Sequence, residues 1–186
     1  TVALMPGSRK TEIRRMLPVM IASAKKLQAK CKTIQWILPI ADTLKESDLT
    51  PFFDNNVSIR CIKQATYDAI RASDAVMCAS GTATLEVALL GTPLVVLYKM
   101  HPLSFQIIKR LISIDTIGLC NIVAEKNLAR EFVQSDASPK AISDEVLRLL
   151  SDEKHSDQVK SDMTLLREKL EKGDAAKGVT HILTKL

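Results

Sequence analysis

The sequence predicts an α/β domain built on a parallel β-sheet covered by helices. Three observations carry that expectation. Five short strand-like runs alternate with helical stretches along the chain. The runs are continuously apolar rather than alternating, as strands buried on both faces are. The segments between them are too long for hairpins, which leaves crossover connections through helices. At 186 residues the chain is long enough to bury a real core without disulfides or a structural metal.

The elements follow in order. Residues 1–5 read as the first strand, and 9–30 have helical spacing, with a break or restart expected at Pro18 because proline removes an intrahelical bond. Residues 33–40, which hold the single tryptophan Trp36, read as a second strand and 57–62 as a third. A short helix is expected over 66–73. Residues 74–79 form a fourth, almost wholly apolar strand, and 82–90 a helix that stops at Gly91, with Pro93 just beyond. Residues 93–98 form the fifth strand. Beyond Met100 the pattern turns mostly helical: 102–112, a broken stretch over 121–134, 139–150 and 152–171. The expected division is an α/β domain over 1–150 and a helical extension over 151–186.

Composition excludes several classes. With 46% hydrophobic and 25% charged residues, and few glycines and prolines, the chain is neither disordered nor fibrous. Its longest apolar runs, 75–79 and 94–98, fall far short of the ~20 residues a membrane-spanning helix needs. Residue 1 is threonine and no leader pattern is present, so the chain is expected to be a domain cut from a longer protein. Cys31, Cys61, Cys78 and Cys120 lack the close spacing of zinc or redox motifs, and Cys61 and Cys78 sit in apolar runs where a thiol packs as a small hydrophobe. A reducing cytoplasm is the expected compartment. The net charge of +5 is concentrated at the start: up to Lys32, eight basic residues (Arg9, Lys10, Arg14, Arg15, Lys25, Lys26, Lys30 and Lys32) face one acid, Glu12. Such a segment attracts phosphates, nucleic acid or an anionic membrane, or simply forms a solvated helix face.

Ligands of open parallel sheets bind beyond the carboxyl ends of the strands, and two loops there carry phosphate-friendly residues. Pro6-Gly7-Ser8-Arg9 follows the first strand: Gly7 admits close backbone approach, Ser8 is expected to cap the next helix, and Arg9 offers a permanently charged fork. Ala79-Ser80-Gly81-Thr82-Ala83-Thr84-Leu85-Glu86 follows the fourth strand, with a glycine for close approach, three hydroxyls and a helix start presenting amides. Glu86 lies one turn after Thr82 and leans back towards the helix start, where a carboxylate accepts hydrogen bonds from a ribose diol; compensation of the helix dipole explains the same position. Neither loop is a Walker or GxGxxG motif. No Asp-x-Asp cluster lies near them, so no metal and no other cofactor is implied. His101, His155 and His181 are candidate bases only in principle; His155 and His181 fall in polar helical tails and are expected on the surface. Residues 98–112, with Leu103, Phe105, Ile107, Ile108, Leu111 and Ile112 beside Lys99, Lys109 and Arg110, suit either a core helix or one resting on an anionic membrane.

The stretches MPGSRKTEI (5–13), ASGTATLE (79–86), GTPLVVLYKMHPLSF (91–105) and LCNIVAEKNLAREFVQ (119–134) resemble the lipid-A-disaccharide synthases over about residues 1–150. The resemblance implies the C-terminal, nucleotide-binding half of a GT-B glycosyltransferase, with a Rossmann-like sheet. One departure is Cys120, where the family usually has proline before the residue matching Asn121. The implied reaction is an inverting hexosyl transfer from UDP-diacylglucosamine to diacylglucosamine 1-phosphate in lipid A and lipopolysaccharide synthesis. It would be peripheral on the inner face of the cytoplasmic membrane, with no nucleic acid partner. Carried over, Gly7, Ser8 and Arg9 meet the diphosphate, with Arg9 stabilising the leaving group. Ser80, Gly81 and Thr82 cradle phosphate or uridine, Glu86 holds the ribose, and Asn121, Glu131 and Gln134 lie near the donor's sugar or diphosphate. The general base, not identified, is assigned to the N-terminal half, and without that half this chain is expected to be inactive. The alternatives are another UDP-sugar GT-B enzyme, such as a UDP-N-acetylglucosamine epimerase or a peptidoglycan glycosyltransferase, and a non-enzymatic nucleic-acid binding module suggested by the basic segment.

Overall fold

A computed structural model describes residues 1–53, 56–100 and 116–171. Its centre is a six-stranded, wholly parallel sheet with spatial order β3-β2-β1-β4-β5-β6, formed by β1 (Val2–Met5), β2 (Trp36–Ile40), β3 (Ile59–Lys63), β4 (Ala75–Ala79), β5 (Leu94–Tyr98) and β6 (Arg130–Val133). The order runs outward in both directions from β1 and β4, so the topological switch point lies between these two strands. There the helices leave opposite sides of the sheet and open a crevice. Met5 pairs with Cys78, which puts the loop after β1 and the loop after β4 side by side.

β1, β4 and β5 are buried almost throughout, matching their unbroken apolar sequences. Among the described residues the sheet has one strand more than the five expected. β6 falls inside the broken stretch 121–134. Only Phe132 of its four residues is fully buried, and a four-residue edge strand is too short to display a period. Ahead of it lies a short helix, Leu119–Ala124, here α4.

Helix α1 (Lys10–Lys30) is continuous, against the expected break at Pro18. Pro18 and Arg14 are both exposed while Leu17 and Val19 are buried, so the Arg14 carbonyl that the proline leaves without an intrahelical partner lies on the outer side of the helix. Its inner face, including Ile13, Leu17, Met20 and Leu27, packs on the sheet and on α5 (Pro139–Ser151). α2 (Thr66–Arg71) precedes β4, and α3 (Thr82–Leu89) follows it. α6 (Glu153–Glu171) lies across α5 and α3 and sends Val159, Met163 and Leu166 into the same core. Near its end, Arg167 donates from Nε (3.0 Å) and Nη2 (2.6 Å) to the carbonyl of Leu89, tying down the C-terminus of α3. The described part of the expected extension is therefore packed into the domain's core. Residues 172–186, with His181, lie outside the described residues, as do His101 and most of the candidate membrane helix 98–112.

His155 is not the free surface side chain expected. Its Nε2 sits 2.9 Å from Oε1 of Glu145, a carboxylate only 5% exposed whose other oxygen takes a 3.0 Å bond from Arg130. These groups border a cavity of about 600 Å³ at the amino ends of β5 and β6, away from the switch point.

Candidate nucleotide-phosphate site at the switch point

The two loops singled out in the sequence come together. Gly7, Ser8 and Arg9 from the first, and Ser80, Gly81, Thr82, Ala83 and Glu86 from the second, line one cavity of about 510 Å³ above β1 and β4. Glu12 lines it too, as do Pro39, Ala41 and Thr66, which nothing in their local sequence marks. Pro39 has a topological part: β1 and β2 pair only as far as Ala3 and Ile37, so the ladder ends before the residue that cannot donate to it, and the crevice begins there.

The first turn is already occupied by an anion of its own chain. Glu12 turns back so that Oε2 accepts from the amides of Ser8 (2.9 Å) and Arg9 (3.2 Å), while Oε1 lies 3.5 Å from Nη1 of Arg9. Gly7 has φ +111°, and a Cβ there would stand 2.3 Å from Oε2 of Glu12, so the carboxylate fits only because residue 7 is glycine. This corrects the expectation that Ser8 caps the helix: Arg9 is the capping residue and Glu12 takes the free amides. The spacing of an acid three residues into a helix was a readable signal for it. The Ser8 carbonyl accepts from Oγ1 of Thr43 at 2.6 Å, which holds the turn against the loop after β2.

The second turn is organised in the opposite way. Gly81, the capping residue of α3, lies at φ 154°, ψ −168°, a conformation nearly confined to glycine, and nothing stands within 4 Å of where its Cβ would be. No side chain caps α3 and no acid occupies its first turn. The amides at its start therefore face an open cavity, with the exposed guanidinium of Arg9 among the lining groups. An unpaired helix start with a guanidinium nearby is an arrangement that binds anions. Glu86, half-buried one turn along, puts a carboxylate acceptor on the same wall.

Asn121, Glu131 and Gln134 are engaged elsewhere. Asn121 is 1% exposed and spends its amide on Ala129 and Glu131. Glu131 accepts from the amides of Ile117 and Gly118. Gln134, at φ 51°, accepts the amide of Met100 through Oε1, and its Nε2 is buried with no partner among the described residues. Ser80 donates its hydroxyl proton to the carbonyl of Ile117 at 2.8 Å. Cys120 uses an amide that proline lacks, donating to Oγ1 of Thr84 at 3.4 Å.

The four thiols are free, and burial pushes Cys78 far up from its ordinary value and Cys120 to about 11, so these two stay protonated near neutrality and are no nucleophiles. Among the described residues no group of three or more His, Cys, Asp or Glu side chains is arranged to hold a metal, and no helix is long and apolar enough to cross a membrane.

Comparison with known proteins follows the same lines. The family described as lipid-A-disaccharide synthetase matches residues 1–183. A lipid-A-disaccharide synthase of Trichlorobacter lovleyi is 45% identical over 175 residues, which cover 94% of this chain and 46% of the relative. The chain thus spans about half the length of the curated relatives it matches. Among solved structures, the glycosyltransferase of kitacinnamycin superposes with a TM-score of 0.57 at 16% identity, over 100% of this chain and 43% of that one. UDP-GlcNAc 2-epimerase from Neisseria meningitidis, bound to UDP-GlcNAc, gives 0.55 at 14%, over 100% and 45%. At such identities these two speak for the fold alone, a Rossmann-like half of the GT-B arrangement.

Proposed function

This chain belongs to the lipid-A-disaccharide synthase family, and on that premise we propose that it is the UDP-binding half of an inverting hexosyltransferase. The donor is UDP-diacylglucosamine and the acceptor diacylglucosamine 1-phosphate. The observation that carries the reading is the uncapped start of α3, opening onto the switch-point cavity that Arg9 also lines.

The chemistry assigned to this half is support of the leaving group. As the glycosidic bond breaks, negative charge grows on the UDP diphosphate. Amides at Gly81, Thr82 and Ala83 and the guanidinium of Arg9 are fixed donors for that charge. Hydrogen bonds to a charged partner contribute ~1.5–3 kcal/mol each. Glu86 is assigned to the ribose diol, and Gly7 and Ser8 to the wall that the diphosphate lies against. The base that takes the acceptor's proton belongs to the N-terminal half, which also completes the acceptor site. A peripheral position on an anionic membrane fits the diacylated substrates and is supported by Arg14, Arg15 and Lys26, all exposed on α1.

Calorimetric titration with UDP tests the site. The chain is expected to bind UDP, and Glu86→Ala to bind it about ten-fold or more weakly, the scale of a lost charged hydrogen bond. Absence of binding by the parent, or equal binding by both proteins, would overturn the assignment.

A further inference from the structure

Three side chains expected at the donor instead point at backbone, and their contacts form one connected path. Glu131, on β6, accepts three hydrogen bonds: Oε1 from the amide of Gly118 (2.9 Å) and from Nδ2 of Asn121 (2.8 Å), Oε2 from the amide of Ile117 (2.8 Å). Asn121 is itself locked, since Nδ2 also donates to the Ala129 carbonyl (2.7 Å) and Oδ1 accepts from the Ala129 amide (2.8 Å). The loop is pressed close: a Cβ on Gly118 would meet Oε1 of Glu131 at 3.0 Å and Val96 at 3.1 Å.

From that loop the path continues to the turn before α3. The Ile117 carbonyl accepts from Oγ of Ser80 (2.8 Å), the Cys120 amide donates to Oγ1 of Thr84 (3.4 Å), and Thr84 donates to the carbonyl of Gly81 (2.8 Å). Thr84 is fully buried. The turn 80–84 is thus fastened to the loop 117–120 by two hydroxyls, and that loop is fastened to the sheet by one carboxylate.

We propose that Glu131, oriented by Asn121, is a positioning residue that sets the amides of Gly81–Ala83 through the loop 117–120, rather than a group that touches the donor. Ser80 belongs to the same device: with its proton given to Ile117, it holds the turn. The proposal rests on reading that turn as the diphosphate cradle.

The test uses the 186-residue chain with Glu131→Gln, Ser80→Ala and both together. Glutamine at 131 brings an N–H group into a site where three donors converge, so the loop loosens while size is kept. UDP affinity is expected to fall about ten-fold in Glu131→Gln, the scale of coupled neighbours, with uridine affinity nearly unchanged. The double variant is expected to bind UDP no more weakly than Glu131→Gln alone, because both changes cut one path. Losses that multiply would mean that Glu131 and Ser80 do not act through one path, and uridine falling in step with UDP would mean that Glu131 does not act through the diphosphate turn; either would overturn the proposal. A second measurement needs no ligand. Amide hydrogen exchange at Ser80 and Thr84, whose N–H groups donate to the carbonyls of Leu97 and Gly81, should quicken in Glu131→Gln while amides of β1 keep their rates; unchanged exchange overturns the proposal even where UDP binds. If the parent does not bind UDP, the diphosphate reading falls and the exchange rates alone decide whether Glu131 positions the turn.

Discussion

Two strand-to-helix turns face the same cavity, yet only one has left its helix terminus free. At the start of α1, Glu12 supplies an anion from within the chain and takes the amides of Ser8 and Arg9. At the start of α3 there is no such acid, and the glycine that begins the helix has open space beside it. In sequence the two look alike, each with a glycine, a hydroxyl and a helix behind. The difference teaches that a helix N-terminus is a ligand site only where the chain has not already satisfied it. It also divides the labour: the second turn offers its amides, and the first contributes the side chain of Arg9.

The largest effect expected is on the glycines. Gly7→Ala places a methyl group where Oε2 of Glu12 lies and keeps an unfavourable φ, so the carboxylate is driven off its amides. Backbone strain of this kind costs on the order of 1–3 kcal/mol before the lost contacts are counted. Gly81→Ala meets no neighbour but carries the same class of backbone penalty. Thermal melts and UDP titrations on both should separate the turns: Gly7→Ala loses mainly stability, and Gly81→Ala loses UDP affinity out of proportion to its melting temperature. Equal behaviour of the two would break the comparison.

Glu12→Gln is the next in size. An amide oxygen still accepts from Ser8 and Arg9, but the negative charge at the cavity is gone. Stability is expected to fall by about 0.5–1 kcal/mol, the low end of capping losses. UDP binding should tighten several-fold, more at low salt than at high, since removing a like charge near a diphosphate matters most when screening is weak. A weaker complex would show that Glu12 acts by holding the turn in its binding shape.

The smallest effect concerns the far end of α1. Asp144 on α5 accepts from Lys140 and Lys30, both at 2.7 Å, and these bonds hold its carboxyl down at about 2 against an ordinary 3.8. A carboxylate depressed in the folded state contributes stability above its unfolded value, and that stability is lost as pH falls from about 4 towards 2. Asp144→Asn should flatten the pH dependence of the melting temperature in that window, lowering the melting temperature slightly at neutral pH and leaving it unchanged below about pH 2. Because the pair is exposed, the change is small.

The candidate site was legible where it rests on local sequence. A glycine followed by hydroxyls at the end of an apolar strand marked both loops, and the unbroken runs 75–79 and 94–98 marked strands buried on both faces. Pro18 misled because the rule against internal proline ignores which way the orphaned carbonyl faces. β6 escaped because a four-residue edge strand with one buried residue has no period to detect. Asn121 and Glu131 show what a motif leaves open. Polar residues in a matched motif read as ligand contacts, yet here they are consumed by the amides of Ile117 and Gly118 and by the backbone of Ala129. A motif carries the identity of a side chain and not its direction.

By itself, then, the sequence determined the class of the fold and the two loops, because apolar runs, glycines and hydroxyls act through local backbone preference, and its motifs carried the resemblance to the family. Only the tertiary structure decided that β1 and β4 are neighbours, since strand order is set by how helices of both faces pack and not by any one segment. That adjacency puts Arg9 and the start of α3 on one cavity. Tertiary contact also decided which helix start stays free, because Glu12 reaches its amides only across the hollow that Gly7 leaves.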